Sequence, residues 1–137
     1  MKKIILSLVF VFTLFNGNAQ NSDRQIIIDV TSTNFKVYQS ILLTVKVMAE
    51  RNPNSQIDVI TYGEAVPMLM KKKSAVEEEI AKYAKLENVT FTACEISMTL
   101  FNIKKDQLIE GVRTVENAVV EIAKKQNEGW GYIKSGI

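Results

Sequence analysis

Histidine is absent from this 137-residue chain, and cysteine occurs once, at position 94. Without an imidazole there is no histidine base, which rules out a Cys/His nucleophilic mechanism. A single cysteine has no partner for a disulfide within the chain, and one Cys with no His cannot assemble an ordinary zinc site. Neither a metal nor another cofactor is expected. Glycine is sparse, at six residues, and Gly63 belongs to no glycine-rich run, so the loop that cradles phosphates is missing too. Internal repeats, low-complexity tracts and linkers are also lacking.

What is present begins with the N-terminus, "MKKIILSLVFVFTLFNGNAQ". Two lysines precede an apolar run from Ile4 to Phe15, and small and polar residues follow through Gly17, Asn18 and Ala19. That order predicts a secretory signal peptide over 1–19, cleaved after Ala19. The apolar run is about 12 residues, too short for a spanning helix, which needs roughly 20. No cysteine lies near the junction to carry a lipid. The expectation is therefore a mature domain over 20–137 that is periplasmic or secreted and free of the membrane once the leader is cut.

Removing the leader takes Lys2 and Lys3 from the 17 basic residues and leaves 15 to face 15 acidic ones. A mature net charge of zero argues against nucleic acid or an anionic membrane as partner, because both reward a positive excess. The basic cluster Lys71 to Lys73 is followed closely by Glu77 to Glu79 and reads as a solvated helix face. A chain of this size forms one domain with one core.

Along that domain, short apolar runs alternate with longer amphipathic ones. "RQIIIDVTS", "QIDVITYG" and "NVTFTAC" read as strands, and the continuous apolar run of the first predicts cover on both faces. "VRTV" and "WGYIKS" make shorter fourth and fifth strands. Between them, Phe35, Tyr38, Ile41, Leu42, Val45 and Ala49 recur at helical spacing after Asn34, a predicted N-cap, and "NPN" stops that helix. A helical pattern from Val66 to Leu86 breaks near Ser74, and its second part has Val76, Ile80, Tyr83 and Ala84 as inner stripe. "EISMTLFN" is a short helix, and "ENAVVEIAKKQNEG" is another with Ala118, Val119, Ile122 and Ala123 facing inward. Alternation of this kind predicts an α/β fold, a three-layer α/β/α sandwich around a five-stranded, mainly parallel sheet. Met48, Val66, Met68, Leu69 and Met70 exceed what one helix face can bury and serve either the core or subunit contacts. Trp130 and Tyr132 alternate on the last strand and point to one face, with Ile133 on the other, as structural residues.

Ligands of such sheets bind beyond the carboxyl ends of the strands. Cys94 ends the third strand and precedes a helix, whose free amides favour thiolate over thiol. The thiol is expected to be partly accessible. On the same edge the candidate pocket residues are Thr31, Ser32 and Asn34 after the first strand, and Gly63 and Glu64 after the second. Glu95, the remaining pocket candidate, lies beside the thiol and opposes its ionisation. A lone thiol in an oxidising compartment is either used or buried, so the alternative is a non-catalytic oligomeric binding domain in which Cys94 is packed.

"GEAVPMLM", "VTFTAC" followed by a helix, and "GVRTVENAVVEIAKKQNEGWGYIK" resemble the DsrE/DsrF-like family, linked to intracellular sulfur oxidation and sulfur relay. The resemblance runs from about Gln25 to Lys134. It implies strand order 2-1-3-4-5, assembly as a homo-oligomer (trimer or hexamer), and a sulfur donor or acceptor protein as partner. It also implies that Cys94 carries sulfur as a persulfide, which would make the protein a sulfurtransferase or sulfur carrier.

Overall fold

The structure is a computed structural model and describes residues 23–136. The predicted signal peptide over 1–19 lies outside the described residues. Five strands form one sheet: β1 (Gln25–Val30), β2 (Gln56–Thr61), β3 (Val89–Cys94), β4 (Arg113–Val115) and β5 (Gly131–Ser135). Every pairing is parallel. The helices are α1 (Phe35–Arg51), α2 (Glu77–Tyr83), α3 (Glu95–Leu100) and α4 (Ala118–Asn127). The predicted α/β/α sandwich is therefore the fold.

Its strand order is β4-β3-β2-β1-β5, which departs from 2-1-3-4-5 by placing β2 between β1 and β3. Ile57 to Thr61 are buried without interruption, in keeping with an interior strand covered on both faces. β5 is mostly exposed and takes the edge beside β1.

Local sequence sets the helices. Asn34 caps α1 by accepting the Lys36 N–H on its side chain at 2.9 Å, and Asn117 caps α4 by accepting from Val119 and Val120, the ordinary role of asparagine at this position. Pro67 lies inside the segment Gly63–Leu69, which winds as a 3-10 helix where the periodicity alone suggested α; a ring without an N–H disfavours the α hydrogen-bond ladder. Ser74 then marks the break, accepting the Val76 N–H, and α2 follows with Val76, Ile80 and Tyr83 buried.

The two faces of the sheet differ strongly. Along each strand alternate residues point to opposite faces. Ile28, Val30, Ile57, Val59, Phe91 and Ala93 join α1, α2, α3 and the 3-10 segment in the large core. Met68, Leu69, Met70 and Val66 belong to this core, so they fill the domain itself and are not free for subunit contacts. On the opposite face the buried apolar cluster among the described residues is small, Ile27, Ile60, Cys94, Ala118 and Ile122, with Tyr62 and Trp130 packed against them. Among the described residues α4 is its sole helix. Val119 and Ala123, expected inward, are exposed; Asp58, Thr92 and Asp29 on this face are buried polar groups, which leaves α4 little apolar surface to meet.

Candidate functional site

The helices after β1, β2 and β3 pack on the large-core face, whereas α4, after β4, packs on the other. The connections therefore diverge between β3 and β4. A crevice at such a switch point is where open parallel sheets bind ligands, and Cys94 is the last residue of β3.

Cys94 is both the end of a strand and the N-cap of α3. Its Sγ accepts the backbone N–H of Ala118, the first residue of α4, at 3.5 Å. The beginnings of two helices thus converge on one sulfur. The protonated thiol donates instead to the Glu116 carbonyl at 3.8 Å. Burial pushes the Cys94 thiol up, but the N–H groups of Ser97, Ala118 and Ile96 and the Ser97 hydroxyl outweigh it and hold the thiol below its ordinary value. Donors aimed at the charged form favour that form. The expected partial accessibility is not found: Cys94 is 5 % exposed, because α4 lays its first turn over the sulfur.

Ser97, which the sequence analysis did not single out, is the second link. It is 5 % exposed, and its Oγ accepts the Gly63 N–H at 2.8 Å. Gly63 adopts φ +60, a left-handed turn that glycine takes without strain. Gly63 is thereby joined to the Cys94 environment through Ser97. Glu64 is exposed beside it.

Glu95 does not act as expected on the thiol. Its carboxylate binds Lys105 and accepts the Thr114 hydroxyl. These two partners hold its carboxyl below the ordinary value. A carboxylate paired with an ammonium opposes a neighbouring negative charge less than a free one.

Thr31, Ser32 and Asn34 are placed apart from Cys94, in the turn after β1. Ser32 Oγ accepts the Asn34 N–H at 3.2 Å, and Asn34 is spent on capping α1. Thr31 Oγ1 accepts from Lys134 at 2.9 Å. Lys134 also binds Asp29 at 2.9 Å, and Asp29 accepts the hydroxyls of Tyr132 at 2.6 Å and Tyr62 at 3.2 Å. The hydrogen bond to Asp29, with burial and the Asp29 charge, pushes the Tyr132 phenol up to about 12. Tyr62 connects the two groups, reaching Asp29 with its hydroxyl and packing with its ring against the cluster that includes Cys94.

The model of the DsrE/DsrF/DrsH-like family matches residues 19–128. The chain belongs to this family. No curated protein matches the sequence. Among solved structures, MTH1491 from Methanobacterium thermoautotrophicum, a protein of unknown function, superposes with TM-score 0.76 at 23 % identity, over 82 % of this chain and 99 % of its own. BT1422 from Bacteroides thetaiotaomicron, also of unknown function, gives TM-score 0.69 at 17 % identity, over 85 % of this chain and 99 % of its own. The ychN protein of E. coli gives 0.63 at 16 %, over 82 % and 98 %. At these identities the likeness establishes the fold of this DsrE/DsrF/DrsH-like chain, and the chemistry rests on its own residues.

Proposed function

We propose that the protein is a sulfur carrier in which Cys94 holds a sulfane sulfur as a persulfide. The observation that carries this reading is the convergence of N–H donors on the Cys94 sulfur at the β3/β4 switch point. Such donors stabilise the thiolate, the form that attacks sulfur.

The step needs no histidine and no metal. The Cys94 thiolate attacks the outer sulfur of a donor persulfide, R–S–SH. A new S–S bond forms to Cys94 as the donor S–S bond breaks, and the R–S⁻ thiolate leaves with the bonding electron pair. Delivery runs the same exchange forward: an acceptor thiolate takes the outer sulfur from Cys94, and the Cys94 thiolate leaves. A sulfur donor or acceptor protein is the partner in this reading. The chain works outside the cytoplasm after losing 1–19, and it does so as a homo-oligomer, for which the exposed apolar residues Ile96, Leu100, Val119 and Val120 supply contact area.

A second reading, a binding domain in which Cys94 is only packed, is favoured by its 5 % exposure and by its cluster with Ile27, Ile60, Ala118 and Ile122. Reaction of the native protein with iodoacetamide, compared with the denatured protein, separates the two. A carrier thiol reacts in the native state, and a packed one waits for unfolding.

A further inference from the structure

The polar cluster under α4 has no part in the exchange described above. Asp58, in the interior strand β2, is 1 % exposed. Burying a carboxylate is costly unless partners surround it, and this one has three, each from a different element. The Thr92 hydroxyl on β3 donates to it at 2.6 Å. From β4 the Arg113 guanidinium lies 3.5 Å away, and from α4 the Lys125 ammonium, with only 12 % of its side chain exposed, lies at 3.0 Å. Arg113 also donates its Nε to Thr92 at 3.0 Å and pairs with Glu121 of α4 at 2.6 Å.

Two charged ties therefore run from this cluster to one helix. Ala118, Ile122 and Lys125 follow at helical spacing along its inner face, and only Ala118 and Ile122 are buried apolar residues there. One isoleucine and one alanine side chain remove little apolar surface from water. Apolar contact alone is a thin hold for the helix that covers the thiol. The far end of that same helix supplies the Ala118 N–H to Cys94.

We propose that Asp58 is a positioning residue for Cys94: by gripping Lys125 directly and Glu121 through Arg113, it clamps α4 onto the sheet and so keeps the sulfur covered and the Ala118 N–H upon it. Its functional meaning rests on the carrier reading, but its physical content, control of access to the thiol, does not.

The test uses Asp58→Asn and Lys125→Met, the latter keeping an apolar stem against Trp130, whose ring the ammonium now covers at 3.7 Å. Native alkylation of Cys94 by iodoacetamide and amide hydrogen exchange of α4 are measured on each folded variant. Both variants should raise the alkylation rate by about tenfold or more and speed exchange in α4, while the amides of β1 to β3 keep their protection. A merely structural role for Asp58 would lower protection throughout and leave no difference between α4 and the sheet. Should Asp58→Asn fail to fold, Lys125→Met and Glu121→Gln decide, since each leaves the buried carboxylate with Thr92 and a cation. Wild-type alkylation rates and unchanged α4 exchange in the folded variants would overturn the proposal. A carrier failure reads differently: alkylation rises in the variants, yet polysulfide leaves Cys94 unmodified in every protein.

Discussion

The Ala118 backbone N–H meets the Cys94 sulfur across 3.5 Å, joining the first residue of α4 to the last residue of β3. The two are 24 positions apart in sequence; the parallel pairing of β3 with β4, which sets Val115 beside Cys94, and the entry of α4 three residues later bring them together. The chemistry and the cover of the thiol therefore depend on the same helix.

Ser97 contributes both a backbone and a side-chain donor to that sulfur. Ser97→Ala removes the hydroxyl and leaves the Gly63 N–H without its acceptor. The pH profile of native Cys94 alkylation should move to higher pH, and denaturant titration should show a loss of about 1–3 kcal/mol. The wild-type thiol is an acid held below its ordinary value in the fold, so it contributes stability that is full above the unfolded thiol pKa and lost as pH falls through the folded one. The stability difference between wild type and Cys94→Ser should accordingly grow as pH rises through that window. A difference flat in pH would contradict the assigned donors.

Asp29→Asn tests the second cluster. The Tyr132 phenol, held at about 12 by Asp29, should titrate closer to 10, as read from phenolate absorbance. A raised folded pKa gives stability that is complete below the unfolded value of about 10 and disappears as pH passes through about 12. The wild type should thus lose stability relative to Asp29→Asn across that interval. An unchanged tyrosine titration would remove Asp29 as the cause.

Much of this architecture was legible in the sequence, and its limits have physical causes. All five strands follow from their apolar and β-branched runs, and Asn34 and Ser74 mark helix boundaries where their side chains accept local N–H groups. The strand order was not legible from local pattern, although five successive buried residues in β2 are a signal for an interior place. Cys94 stood out by being alone. Ser97 did not, since one hydroxyl in a helix carries no mark until Gly63 is folded against it. Asp58 was hidden for another reason: a carboxylate in an apolar strand reads as an edge or surface group, and its partners Arg113 and Lys125 lie 55 and 67 positions later.

Self-association is expected through the apolar residues left outside the core, among them Leu100, 72 % exposed, and Val120, 63 % exposed. Light scattering at micromolar concentration should give a mass above that of one chain, with a trimer or a pair of trimers as the expected size. Leu100→Lys combined with Val120→Lys should lower it. A monomeric wild type would contradict this expectation.

Export is tested at the N-terminus. Protein recovered from the periplasm or medium should begin near Gln20 if the order of charged, apolar and small residues over 1–19 acts as the leader it predicts. Recovery there with Met1 intact would contradict cleavage.

The carrier role meets its most direct test in mass spectrometry of the intact native protein after exposure to polysulfide and removal of the excess. The wild type should gain the mass of one sulfur, located at Cys94 and released by a thiol reductant, while Cys94→Ser gains nothing and keeps the same fold. A native wild type that takes up no sulfur, yet does so once unfolded, would contradict the carrier reading and leave Cys94 as a packed residue.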